Sequence, residues 1–361
     1  MRRFGLFLFV GVLFFFGRNA SGQDLNDKGR RFTSPNSTNQ SSTSLFQSDS
    51  IINLIIIADF KSLFRDRRSE PMYYGGKIFY FNKDSVPLYF EVRLRQRGNF
   101  RRQRENCSFP PLFINFKKSS VSSSLFAGQD KVKLVTHCRV RERFEQSVLN
   151  EYLAYKINNQ LTSFSYKVRL AKITYIDSSG RQRPISRYGF FIESREEFEK
   201  RNGVSFVETK NLHQEVLDRY QMSLVTIFQY LIGNTDWSVP NRHNIDLYLG
   251  DPQDRLIPVA FDFDFSGVVN APYAQPQPML GINKVTDRLY RGFPRSEEEI
   301  DTILDLFRCR ETLIMTREER LPSVSRGRQT VTKKFLHSFF EEISSQAMVK
   351  RIFINGSRKL D

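Results

Sequence analysis

The chain has 361 residues, 40% of them hydrophobic and including 34 Phe and 14 Tyr, which is ample apolar material for a packed core and excludes a disordered polymer. Lys and Arg number 55 against 39 Asp and Glu, so the formal charge is +16 and the surface favours acidic partners or polyanions. The arginines are dispersed, the densest patch being Arg93, Arg95, Arg97, Arg101, Arg102 and Arg104, and no nucleic-acid fold signature accompanies them, so a specific nucleic-acid binder is not indicated.

The N-terminus carries Arg2 and Arg3, an apolar stretch over 6–16 and small residues over 17–22, the layout of a secretory signal peptide at 1–22. The apolar run is shorter than the roughly 20 residues of a spanning helix, so no transmembrane helix is expected after its removal, and the protein is expected to be secreted or held in the periplasm or envelope. Residues 23–50 are rich in Ser, Thr, Asn and Asp and read as a flexible tether. Residues 51–361 read as one domain, divided into 51–193 and 194–361.

Short apolar or alternating runs at 51–58, 77–81, 88–95, 112–116 and 131–135 predict strands, with Gly75-Gly76, Asn82-Lys83-Asp84 and Gly98-Asn99 as turns. Helical spacing of Phe144, Val148, Tyr152 and Tyr155 predicts a helix over 142–161. Strands at 165–176 and 186–193 follow. A second helix is predicted over 214–232, closed by Gly233-Asn234, then strands at 245–249 and 256–261, then a mostly helical remainder over 297–353. The order implies an α+β protein with a β-rich first lobe and an α-rich second lobe.

There are three cysteines. Export would let them pair. Cys107 and Cys138 flank a strand-rich stretch and are candidates for a bridge, while Cys309 lies on an expected helix. No Cys-x-x-Cys occurs and His137 is the only histidine near a cysteine, which excludes a zinc site of that kind.

After the second helix the chain reads Gly233-Asn234-Thr235-Asp236-Trp237-Ser238-Val239-Pro240-Asn241. An Asp followed five residues on by an Asn is the phosphoryl-transfer pattern in which the Asp orients the attacking hydroxyl and the Asn oxygen binds magnesium. Either residue alone is an ordinary turn residue. A strand later comes Phe261-Asp262-Phe263-Asp264, two carboxylates on one face of an extended segment, the oxygen ligands that Mg2+ or Mn2+ prefers. His243 and Asn244 flank the loop as supporting groups or plain turn residues. Lys133, on the strand before the first helix, and Glu151, on that helix, have the spacing of a lysine–glutamate pair that grips nucleotide phosphates; a surface lysine on an edge strand is the plainer reading. Glu193 is a candidate for a nucleotide hinge, and 270–294, rich in Pro, for a substrate-facing loop or an ordered connector.

The runs Val92-Arg93-Leu94-Arg95-Gln96-Arg97-Gly98-Asn99 and Pro110-Pro111-Leu112-Phe113-Ile114-Asn115-Phe116, with Gly233-Asn234-Thr235-Asp236 and Phe261-Asp262-Phe263-Asp264, resemble the spore-coat protein H (CotH) kinase family from about residue 51 to about 273. That resemblance implies an atypical protein-kinase-like, two-lobed fold, use of ATP and magnesium, a catalytic role for Asp236 and a metal role for Asp262. The chain departs from the family by carrying Cys107-Ser108 and Asn115 where many members have lysines. With no Gly-x-Gly-x-x-Gly loop, Arg97-Gly98-Asn99 would cover the phosphates.

The expected function is therefore an exported ATP- and Mg2+-dependent kinase of Ser or Thr hydroxyls on an exported protein. Catalysis falls to Asp236, metal binding to Asn241, Asp262 and Asp264, and nucleotide binding to Lys133, Glu151 and Arg97. A non-catalytic envelope-binding protein using its basic surface is the alternative, and a metal-dependent phosphoester hydrolase a third.

Overall fold

In the computed structural model, which describes residues 44–66, 68–82, 85–251, 253–322 and 325–359, the alternating segments of the first half become strands. They are β1 (Ile52–Ala58), β2 (Tyr74–Phe81), β3 (Pro87–Gln96), β4 (Leu112–Phe116), β5 (Lys131–Val135), β6 (Val168–Asp177) and β7 (Ile185–Ile192). Helix α1 (Phe60–Arg65) follows β1, and the long α2 (Glu142–Leu161) separates β5 from β6. The signal peptide expected at 1–22 and the tether as far as residue 43 lie outside the described residues. From residue 44 that tether is pinned to the domain. Leu45 is buried, the Arg169 guanidinium donates to the carbonyls of Leu45, Ser48 and Ser50, and Asp49 meets Lys156 at 2.7 Å and Arg317 at 3.1 Å.

The seven strands close on themselves in the order β1-β2-β3-β4-β5-β7-β6, antiparallel except where β1 runs parallel to β6. This overturns the expected two-lobed protein-kinase-like fold: the architecture is mixed α+β around a closed seven-stranded barrel, and the described residues belong to one compact unit. The physical reason is in the side-chain alternation. Val92 and Leu94 of β3, Ile114 of β4 and Leu134 of β5 fill the barrel. On β6 and β7 both faces are apolar: Ile173, Tyr175 and Phe191 join the barrel interior, whereas Leu170, Phe190 and Ile192 join the core built around α2. Strands buried on both faces fuse the barrel to the helical layer.

That layer contains α3 (Arg195–Asn202), α4 (Arg219–Leu231), α5 (Glu297–Arg317), α6 (Arg326–Ser344) and α7 (Gln346–Val349), with a small antiparallel sheet β10-β9-β8 made from β8 (Ser205–Phe206), β9 (Ile245–Leu249) and β10 (Ile257–Ala260). Helix α4 starts at Arg219 rather than at 214, because Asp218 caps it by accepting from Gln221 N at 2.7 Å. Helix α3 escapes the periodicity reading, being short and charged, although Ser194 and Glu197 form a complete capping box ahead of it. Gly75-Gly76, read as a turn, lies inside β2; a Cβ on Gly76 would sit 3.0 Å from the Ile57 carbonyl oxygen.

Cys107 and Cys138 form a disulfide, and Cys309 is free and exposed. The bridge spans 31 residues, from the segment after β3 to the one after β5. Chain-entropy reasoning gives such a crosslink about 3–4 kcal/mol, so Cys107→Ser is expected to lower the urea-unfolding free energy by that order, with reduction of the parent protein doing the same. Identical urea midpoints for parent and variant would contradict it.

Candidate functional site

Two glycines bring the site together. Helix α4 ends at Gly233, whose φ of 63° is left-handed. The segment after β10 passes beside it, Gly267 N donating to Gly233 O and Val268 N to Ile232 O, each at 3.0 Å. A Cβ on Gly233 would lie 2.8 Å from Phe335 Cζ, and one on Gly267 would lie 2.7 Å from the Val285 carbonyl oxygen. The backbones approach this closely because neither residue has a side chain. The loop bearing Asp236 and the strand end bearing Asp262 are thereby neighbours.

Asp236 is half-buried and held from several sides. Its Oδ1 lies 2.9 Å from His243 Nε2 and 3.4 Å from Gln277 Nε2. Asn244 Nδ2 donates to its Oδ2 at 3.1 Å and to its backbone carbonyl at 2.7 Å. The hydrogen bond to Asp236 raises the His243 pKa above its ordinary value, with further electrostatic support from Asp236 and Asp262 and opposition from partial burial. Asn241 stands apart: it is exposed, and its backbone N–H donates to Ser238 Oγ at 3.3 Å. The asparagine that reaches the Asp236 carboxylate is Asn244, with φ of 55°, and Asp262 has φ of 61°. Left-handed backbone at two non-glycine residues of one cluster is strain that the surrounding packing has to hold.

Asp262 takes the Tyr155 hydroxyl on its backbone N–H at 2.9 Å, and its carboxylate accepts no hydrogen bond among the described residues. Asp264 is buried beneath it. Tyr273 Oη donates to Asp264 Oδ2 at 2.9 Å, and Arg101 Nη1 lies 4.0 Å from the same oxygen and 3.7 Å from Glu151 Oε2. Burial and then the Asp262 charge push the Asp264 carboxyl up to about 7, against Arg101 and Tyr273. Burial and Asp264 likewise raise Glu151 well above the usual carboxylate range. Arg101 resists its own burial because Tyr273, Asp264 and Glu151 surround it. One buried guanidinium thus serves several carboxylates.

Glu151, the sequence-predicted partner of Lys133, is therefore matched with Arg101. Lys133 is half-buried between the rings of Tyr166 and Phe261, its Nζ 5.8 and 5.7 Å from their centroids, with no carboxylate of the described residues within 4.0 Å. Burial and then the neighbouring Arg97 push its pKa down to about 8, while Asp246 and Asp262 pull it up. Arg97 is half-buried over Phe113 at 5.8 Å and likewise has no carboxylate of the described residues within 4.0 Å. The structure brings together Asp236, Asp262, Asp264, Glu151, Lys133 and Arg97, and leaves Asn241 outside.

No family model, curated protein or solved structure matches the chain. The resemblance to the CotH family rests on the quoted motifs.

Among the described residues no group of three or more His, Cys, Asp or Glu side chains is arranged to hold a metal ion. A pair of carboxylates is enough for a hard cation that keeps waters or phosphate oxygens. Glu193, the candidate hinge residue, is buried and clamped by Arg201 at 2.8 Å while accepting from Lys167 N at 3.0 Å. Trp237 is buried and bonds Asn234 O at 3.2 Å, so it packs the loop. Sequence reasoning misses Arg101, Tyr273 and Gln277. Arg101 sits among look-alike arginines, and the other two come from the 270–294 segment, whose Tyr273 and Gln277 fold back onto Asp264 and Asp236.

Gly267→Ala is expected to cost about 1–3 kcal/mol through the forced clash. In Gly327→Ala, on α6, a Cβ meets nothing within 4 Å, and helix propensity predicts a neutral change or a gain of up to about 1 kcal/mol. Thermal melts of the two variants check the contrast.

The raised His243 pKa means that its pair with Asp236 stabilises fully below pH 6.5 and fades as pH rises through the folded value. An NMR titration should place His243 above 6.5, and Asp236→Asn should move it down. No movement in the variant would show that Asp236 does not govern it.

Proposed function

We propose that the chain is an exported phosphotransferase that moves a phosphoryl group from ATP to a Ser or Thr hydroxyl of an exported protein, assisted by Mg2+ or Mn2+. The observation that carries this reading is the apposition of Asp236, fixed by His243 and Asn244, with the unbonded Asp262 carboxylate and two carboxylate-free cations, Lys133 and Arg97. A hydroxyl set against Asp236 would find a rigidly oriented acceptor for its proton. His243 and Asn244 hold that carboxylate in place. Lys133 and Arg97 would neutralise phosphate oxygens. The disulfide supports export, since such bridges persist in oxidising compartments. No helix of the described residues is long and apolar enough to cross a membrane.

The donor set suits a divalent cation. Burial, and then repulsion from Asp262, hold the Asp264 carboxyl up at about 7, and a dication beside the pair would relieve both the repulsion and the cost of a buried charge. Bound there, it would supply charge neutralisation for the transferring phosphate. Asp262 and Asp264 would hold it, with Asn244 better placed than Asn241 to face the same space.

The test incubates the mature protein with γ-labelled ATP, Mg2+ or Mn2+ and exported proteins of its source. Label should pass to protein and fall about 10²–10⁴-fold in Asp236→Ala and in Asp262→Ala. Label unchanged in both variants sinks the assignment, free phosphate without protein label indicates hydrolysis, and nucleotide binding without turnover indicates a binding protein.

A second measurement follows from Asp264. Its raised carboxyl lowers stability progressively as pH climbs from 3.8 through about 7. Mg2+ or Mn2+ should therefore raise Tm more at pH 8 than at pH 5, and Asp262→Asn should remove the difference. An equal shift at both pH values would place the ion elsewhere.

A further inference from the structure

The outward face of β3, β4 and β5 carries a row of cations of which the proposed reaction uses only the end, Arg97 and Lys133. In a strand alternate residues share a face. Val92, Leu94, Ile114, Val132 and Leu134 point into the barrel, so Arg93 and Arg95, Phe113 and Asn115, and Lys131 point out, in line with Arg97 and Lys133. Register sets them in rows: Arg95 is opposite Phe113, which is opposite Lys133, and Arg93 is opposite Asn115, which is opposite Lys131. Among the described residues none of the five cations has a carboxylate within 4.0 Å. Arg93 donates to Asn115 Oδ1 at 2.8 Å, and Arg95 Nε is shielded from solvent with no acceptor. Nearby Asp130 is already engaged by Asn115 at 2.8 Å and Lys118 at 3.9 Å.

Aromatic rings hold the row in place. Arg93 and Arg95 lie 5.5 and 5.0 Å from the Tyr73 ring, and Arg95 and Lys131 lie 5.3 and 4.5 Å from the Phe113 ring. Cation–π contact orients a cation without neutralising it. The row leads into the site, because Arg97 and Lys133 occupy its end beside Asp262.

We propose that Arg93, Arg95 and Lys131 form a docking track for an acidic, extended segment of the acceptor polypeptide. Cations two residues apart on a strand repeat about every 7 Å, the spacing of alternate carboxylates on an extended chain. Single-stranded nucleic acid is disfavoured because it needs open ring faces for base stacking, and here guanidinium and ammonium groups cover both rings. A closed barrel offers no free strand edge, so recognition falls to side chains. The word acceptor rests on the phosphotransferase reading; the binding does not.

Fluorescence anisotropy on the full mature chain tests the track with three labelled probes: a Glu-rich peptide bearing one Ser, its Gln-for-Glu counterpart and an oligothymidylate. The Glu-rich peptide should bind, weaken with salt, and lose at least about 10-fold in affinity in Arg93→Gln/Arg95→Gln/Lys131→Gln. The charge-matched control Lys61→Gln/Arg65→Gln/Arg181→Gln, in a basic cleft bordered by α1, should change it less than about 2-fold. Thermal melts confirm that both variants fold. Equal loss in the two variants, equal binding of the Gln peptide, or tighter oligothymidylate binding that the track variant abolishes would each overturn the proposal. In the label assay the track variant should raise KM for an acidic acceptor and leave KM for ATP unchanged. Peptide binding without label transfer retains the track and rejects the phosphotransferase.

Discussion

The buried Arg101 guanidinium is the constraint around which the site is arranged. It comes from the disulfide-linked segment after β3, yet it neutralises Glu151 on α2 and Asp264 beyond β10, with Asp262 contributing to the same field. Burial, and then the carboxylate charges that one guanidinium leaves unbalanced, raise the pKa values of Glu151 and Asp264. A site left short of positive charge has a standing electrostatic demand for a cation. Lys133 and Arg97, free of carboxylates across the same space, mark where an anionic ligand would complete the balance.

The fold was legible in its pieces and illegible in its closure. Strands at 112–116 and 131–135 sit where alternation puts them, and the helix at 142–161 where its apolar spacing puts it, although α2 is buried nearly all round rather than on one face. Closure depends on pairings distant in sequence. Nothing local to 52–58 says that this strand lies parallel to 171–177. One clue was available: Phe190, Phe191 and Ile192 are apolar in succession, which fits a strand buried on both faces better than the wall of an open lobe.

The site shows the same division. Asp236 and Asp262 stand out because carboxylates at a helix-ending loop and a strand end are unusual in company, and the two glycines that join those segments frame them. Spacing from Asp236 put Asn241 ahead of Asn244, whereas it is Asn244 that reaches the Asp236 carboxylate. The left-handed backbone of Asn244 turns its amide onto Asp236, and that turn is a property of the folded loop. Similarly, Lys133 and Glu151 are correctly spaced for each other, but Arg101 is matched with Glu151, arriving from a three-residue turn with no periodicity to announce it.

The parallel contact between β1 and β6 bears on how the chain acquires its structure. β1 finds its second neighbour only after more than a hundred further residues have been made, so for much of synthesis one of its edges is unpaired and its row of isoleucines has no closed barrel to enter. Non-local pairing of this kind is intrinsically slow, and an uncovered apolar edge invites association with other chains. Barrel closure is thus a late event, and the nascent protein depends on being kept apart from its own copies until β6 arrives.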